Sequence, residues 1–248
     1  MSAGQSDIPR DARKQHFATT RWSIVLAAGD VDRQGSRAAL AQLCESYWYP
    51  VYAYVRRRVH DVHEAQDLTQ TFFSYLLEKQ TIARADPGRG RFRAFLLTAL
   101  QNFLANEWDK ARAAKRGGGK IELSLDFDAG ESRYQIEPSH ELTAERLYER
   151  RWVLTILDQV LESLRSELTQ DGKPQYFEQF KGALTGEATA EGYTQAAVAL
   201  GITPAAAKQA AYRLRKRYRE LFRAEVARTV EREEDVDQEI GRLLSVLG

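Results

Sequence analysis

Apolar residues spaced three and four apart run through most of this chain, and that spacing constrains the fold more than any other feature. Leu40, Leu43, Tyr47, Trp48, Val51, Tyr52 and Val55 fall on one face of a helix. Pro50 interrupts the run. A proline inside a helix loses a hydrogen bond, so a break and a new helix start are expected near it. The pattern resumes in Ala65, Leu68, Phe72 and Leu76, then in Phe92, Phe95, Leu96, Ala99, Phe103 and Leu104. It returns through Leu147, Val153, Ile156, Leu157, Val160, Leu161 and Leu164, and a shorter amphipathic piece surrounds YFEQFKGAL. Phe92, Phe95 and Phe103 read as core because they repeat at helical spacing.

No internal repeat or convincing strand pattern competes with this reading. The expected fold is all-α, with two small helical bundles joined by an acidic linker and a helix–turn–helix in the second. Residues 1–34 form an N-terminal extension, 35–116 the first bundle, 117–142 the linker, 143–223 the second bundle and 224–248 an amphipathic C-terminal extension. The linker reading rests on glycines, serines, a proline and acidic residues, with a short apolar alternation at IELSLDF. In the first extension, Trp22, Ile24, Val25 and Leu26 suit a cap on the first bundle. In the last, Val230, Val236, Ile240, Leu243, Leu244 and Leu247 suit packing back on the second bundle, ahead of contact with a regulator.

Cys44 is the single cysteine, so no internal disulfide can form, and no apolar run approaches the length of a membrane span. The first residues lack the apolar core of a secretion signal, so a cytoplasmic protein without membrane contact is expected. Net charge is +1, but it is unevenly laid out. Lys208 to Arg223 holds seven positive residues against one negative; Glu122 to Glu145 holds seven negative against one positive.

The basic patch continues LGITPAAAKQAAYRLRKR. Gly201 suits the left-handed residue of a sharp turn between two helices. Counting back from it starts the first helix at Tyr193 and puts Ala197 where the helices approach closely. Leu200, Ile202, Ala207 and Ala210 point inward, Thr203 caps the second helix, and Pro204 occupies its first turn. The outward face then carries Ala205, Ala206, Lys208, Gln209, Tyr212, Arg213 and Lys216. Cations and a helix N-terminus suit phosphate, and a glutamine suits adenine in the major groove.

Upstream, Glu64, Asp67 and Thr71 share a helical face. Acid/base chemistry, a metal, a solvated face and a docking surface for a basic partner all fit paired carboxylates. Neither His60 nor His63 completes a ligand set, and no nucleophile motif or phosphate loop lies nearby, so no catalytic residue, metal or cofactor is expected.

Together, EAQDLTQTFFSYLLEK, GRFRAFLLTALQNFLANEWDKARAAKR and YTQAAVALGITPAAAKQAAYRLRKRYRELFR resemble the two conserved regions of bacterial RNA polymerase sigma factors. The layout resembles the extracytoplasmic-function group of the sigma-70 family, over about 35–115 and 145–222. The resemblance implies a non-enzymatic subunit that binds core polymerase and promoter DNA. It places Glu64, Asp67, Leu68, Gln70 and Phe72 against the clamp helices of the largest polymerase subunit; Gln66 stands where the family usually has a further acid. It assigns the unpaired −10 strand to Arg89, Arg91, Arg93, Gln101, Asn102 and Asn106, with Lys110, Arg112, Lys115 and Arg116 along the backbone. It assigns −35 recognition to Thr203, Pro204, Ala206, Lys208, Gln209, Tyr212, Arg213, Arg215 and Lys216. The acidic linker would either thread the polymerase cleft or act as a plain tether. An anti-sigma factor or a protein kinase acting on Thr69 or Thr71 are the candidate regulators. The rival reading is a helix–turn–helix regulator that binds duplex operators without polymerase.

Overall fold

A computed structural model describes residues 22–29, 36–78, 81–86, 88, 90–113, 125–136, 142–184 and 189–247. Regular structure among them is helical throughout: α1 (Trp22–Gly29), α2 (Ser36–Arg58), α3 (Val62–Glu78), α4 (Phe92–Ala113), α5 (Phe127–Gln135), α6 (Ala144–Gln170), α7 (Pro174–Leu184), α8 (Ala190–Leu200), α9 (Pro204–Ala227) and α10 (Val236–Ser245), with 3-10 turns at Thr81–Arg84 and Glu233–Asp235. The all-α expectation holds.

Helix α2 is the centre of the first core. Tyr47, Tyr49, Val51, Tyr52, Ala53, Tyr54 and Val55 are each at most 5% exposed. Consecutive residues of a helix point all round its axis, so this stretch must be covered on every side. It is covered by α1, α3, α5 and α6. This burial also explains the fate of Pro50, which lies inside α2 with no break. An interior proline costs about 3 kcal/mol, whereas each large apolar side chain buried here contributes about 1.5–3 kcal/mol.

The division between the cores does not follow the expected boundary at residues 142 and 143. The first half of α6 (Ala144, Tyr148, Trp152, Val153, Ile156, Val160) belongs to the cluster around α2, as do Phe222 and Val226 from the end of α9 and Val236 and Leu243 from α10. The second cluster takes Leu164 of α6 with Phe177, Phe180, Ala196, Ala197, Ala207, Ala211 and Leu214. Two long helices therefore run from one core into the other. The buried residues Val236 and Leu243 of the C-terminal segment, expected against the second bundle, join the first core.

Part of the expected linker is also structured. Asp126 caps α5 by accepting a hydrogen bond from the Ala129 N–H, and the Phe127 ring lies 5.5 Å from that of Tyr52. A Cβ at Gly130 would stand 2.9 Å from the Trp48 ring, so the helix can lie this close because residue 130 has no side chain. Three consecutive arginines at the end of α2 clamp the acidic segment. Arg56 binds both Glu131 oxygens (3.1 and 3.2 Å), Arg57 donates to the Leu142 carbonyl (2.9 Å), and Arg58 pairs with Glu145 (2.7 Å). The tyrosine hydroxyl of Tyr52 also donates to Glu131 at 2.5 Å.

Burial acts to raise the Glu131 carboxyl, but hydrogen bonds from Tyr52 and Arg56 outweigh it and hold the group below its ordinary value. A lowered folded value stabilises the fold above the ordinary carboxyl range, and that contribution is lost as pH falls through the lowered value. Glu131→Gln should therefore lower Tm at neutral pH. Its deficit against the parent chain should shrink as pH falls through the carboxylate range, which thermal melts over a pH series would test.

Candidate nucleic-acid interface

The α8–α9 pair is built by its caps. Thr189 accepts from the Gly192 N–H at 3.0 Å and starts α8 at Ala190, three residues before the expected Tyr193. Gly201 ends α8 in the left-handed region (φ 64°). Its N–H reaches the Val198 carbonyl (3.2 Å) and the Ile202 N–H reaches Ala197 (3.0 Å), closing the helix end. Two residues later the Thr203 hydroxyl accepts from the Ala206 N–H at 3.2 Å, with Pro204 opening α9. Ala197, Ala207 and Ala211 are buried between the helices, while Leu200, Ile202 and Ala210 pack at the edge.

The outward face is left to Ala205, Ala206, Lys208, Gln209, Tyr212, Arg213 and Lys216, all exposed, Tyr212 by 59%. The cations divide by what they hold. Arg217 is bound to Glu167 by two hydrogen bonds (2.8 and 2.9 Å), and Arg223 pairs with Asp237. Arg215 is half-buried and donates to the Tyr193 hydroxyl at 3.2 Å, which ties it to α8. Lys216 touches Glu220 at 4.0 Å, a weak exposed contact. Lys208 and Arg213 form no ion pair within the described residues. This face offers cations, an amide and a phenol around a helix N-terminus, groups suited to phosphates and base edges.

The second group of expected residues splits in two. Thr98, Gln101, Asn102, Asn106, Asp109 and Lys110 share the exposed side of α4. Lys110 leans on Glu107 (2.8 Å), and the Gln101 amide lies 3.4 Å from Glu145. Arg91 and Arg93 are instead engaged by Glu239. Arg93 is 2% exposed, stacks on Trp152 with its guanidinium 4.4 Å from the ring centroid, and pairs with Glu239. Arg91, 27% exposed, pairs with the same carboxylate. Burial lowers the Arg91 guanidinium, and Glu239 opposes that shift. Arg89, Lys115 and Arg116 lie outside the described residues, as does the side chain of Arg112.

On α3, Glu64 and Asp67 are exposed and Leu68 and Gln70 half-exposed. Phe72 is fully buried against Phe73 and Phe103, so its side chain belongs to the core and cannot touch a partner. Asp61 joins the acidic edge and caps the helix, its carboxylate accepting from the Glu64 N–H at 2.8 Å; the three-residue spacing of the two acids was the available signal. The Thr69 hydroxyl is buried and donates to the Ala65 carbonyl (2.8 Å), whereas Thr71 is half-exposed and donates to Asp67 (2.7 Å). Cys44 is no nucleophile, because burial, with Glu45 beside it, pushes its thiol up to about 12. Among the described residues no His, Cys, Asp and Glu cluster could hold a metal, and no helix is long and apolar enough to cross a membrane.

Thr203→Ala should cost about 1 kcal/mol by removing the α9 cap. The Tm of the full chain should fall, with hydrogen exchange rising first in the Gly201 turn and the first turn of α9.

No curated protein and no solved structure matches the chain. Residues 43–114, which begin within α2 and include α3 and α4, match the family model for sigma-70 region 2. That match covers 43–114 alone and supports a sigma factor of the sigma-70 family, whose region 2 belongs to transcription initiation factors.

Proposed function

We propose that the chain is a sigma factor of the extracytoplasmic-function group, acting in the cytoplasm as the promoter-recognition subunit of RNA polymerase. The carrying observation is that the region 2 match covers both the acidic edge of α3 and the polar face of α4. Glu64, Asp67, Leu68 and Gln70, with Asp61, form the surface that docks on the clamp helices of the largest polymerase subunit. A carboxylate edge over a half-exposed leucine suits a basic, partly apolar partner. Gln66 leaves this edge one charge short of the family pattern, and Thr71 is the accessible threonine at which a kinase could add it.

Asn102, Asn106 and Lys110 receive the unpaired −10 strand along α4, with Arg91 and Arg93 at its start. Amides read the edges of flipped bases, and cations hold phosphates. The α8–α9 pair acts as a helix–turn–helix reader of the −35 duplex. Thr203, Pro204 and Ala206 bring the helix N-terminus to the backbone. Lys208, Gln209, Tyr212, Arg213 and Lys216 face the groove, and Arg215 braces α9 through Tyr193. The caps, the buried alanines and the uncommitted cations Lys208 and Arg213 support this reading. An anti-sigma factor is the natural regulator of such a two-surface protein.

Run-off transcription with purified core polymerase on genomic fragments tests the proposal. Asp67→Lys should abolish holoenzyme assembly while leaving duplex binding intact. Arg213→Ala should assemble normally and lose about 1–3 kcal/mol of promoter affinity. Duplex binding without polymerase, together with no stimulation of core enzyme, would favour a free-standing operator-binding regulator.

A further inference from the structure

The fully buried Glu239 carboxylate bridges two arginines, Oε2 to Arg91 and Oε1 to Arg93. Two guanidiniums against one carboxylate leave excess positive charge, and the paired Arg242 and Glu149 both act on Arg91 in opposite senses. Such a cluster is an anion site, and here a side chain of the same molecule fills it. The segment that supplies it is acidic throughout: EREEDVDQE, residues 231–239, holds six carboxylates against one arginine.

Helix α10 is poorly suited to stay folded by itself. At 10 residues it is shorter than an isolated helix needs to be stable in water. Its outer attachments, Arg242 to Glu149 (2.7 Å) and Asp237 to Arg223, are exposed ion pairs of the weak kind. Val236 and Leu243 anchor it in the first core, while Leu244 is half-exposed. Withdrawing Glu239 and leaving the buried Arg93 and the half-buried Arg91 bare would be unfavourable. Replacing the carboxylate by another doubly accepting anion is not, because the guanidiniums stay paired throughout.

We propose that α10 is a built-in competitor of nucleic acid: Glu239 occupies the Arg91–Arg93 site, and a phosphate of single-stranded DNA takes that site when α10 lifts away. The proposal rests on the assignment of these arginines to the −10 strand. It goes further in giving the chain a closed state held by its own C-terminal segment. Binding of the strand is then reduced by the fraction of molecules that are closed.

The test uses the full chain and a short fluorescein-labelled single-stranded DNA, with the same sequence as duplex to separate binding by α9. Arg242→Glu places like charges across the α10–α6 contact and leaves the Arg91, Arg93 and Glu239 side chains in place, although it also changes the charge felt by Arg91. It should raise hydrogen exchange in α10 and tighten single-strand binding by about threefold or more, with duplex binding unchanged. The charge-swapped double variant Glu149→Arg/Arg242→Glu should return both readouts to the parent level. Glu239→Gln, checked for folding by circular dichroism, should also tighten single-strand binding. If exchange rises in α10 while single-strand affinity stays put, or if neither variant loosens α10, the competitor role is overturned. Adding Arg91→Ala to Arg242→Glu separates the two ideas. Loss of the gained affinity upholds both. Binding that is tightened by Arg242→Glu but indifferent to Arg91→Ala removes the strand-site assignment and the proposal with it. Binding that depends on Arg91 but is not tightened by Arg242→Glu removes the competitor role and leaves the assignment standing.

Discussion

Helix α2 has no face that can be given to water. From Tyr47 to Val55 nearly every side chain is apolar or aromatic and buried, so the segment needs partners on all sides. Two of them, α1 and α3, are near in sequence. The third side is closed by the first half of α6, nearly a hundred residues downstream, and the fourth by the short helix α5. Much else follows. The acidic stretch after α4 is drawn against α2 so that α6 can reach it, and the three arginines at the end of α2 find their acceptors there. The start of α6 comes to lie beside α4, where Trp152 supports Arg93 and Glu145 meets Gln101. A buried core helix thus brings distant carboxylates to the residues expected to handle DNA.

Much of this was legible in the sequence where the determinants are local. Apolar residues at intervals of three and four gave the main helices, because each periodic face is a property of its own segment. The turn at Gly201 and the cap at Thr203 were readable for the same reason: their partners are within five residues. What could not be read depended on residues far apart. Pro50 signals a break by local rules, and its helix survives because burial from elsewhere outweighs the lost hydrogen bond. Helix α5 was hidden by a glycine and by acidic residues that look solvated until the arginines of α2 are placed opposite them. Phe72 sits one turn beyond Leu68 but is turned far enough towards the core to be fully buried. Glu239 falls at helical spacing between Val236 and Leu243, but its acidic neighbours read as solvated until Arg91 and Arg93 are placed opposite it.

The charge distribution makes sense in the same terms. A net charge of +1 argues neither for nor against a polyanionic partner. In the folded chain many cations already have acceptors: Arg56 and Glu131, Arg58 and Glu145, Arg217 and Glu167, and Arg91 and Arg93 with Glu239. Lys208 and Arg213 on α9 stand outside this pairing. The two surfaces assigned to nucleic acid therefore differ in kind. One is open, and the other has its Arg91–Arg93 end already occupied by an anion that belongs to the protein.

The 27 residues of α6 amount to a rod of roughly 40 Å, with one end embedded in each hydrophobic cluster. A rod embedded at both ends transmits torque. Any strain that turns the α7–α9 cluster can reach Trp152 and Tyr148 along α6, and through them the first turn of α4. The spacing between the two halves is set by a rigid strut instead of by the slack of a tether, so prising them apart means stripping apolar side chains from α2.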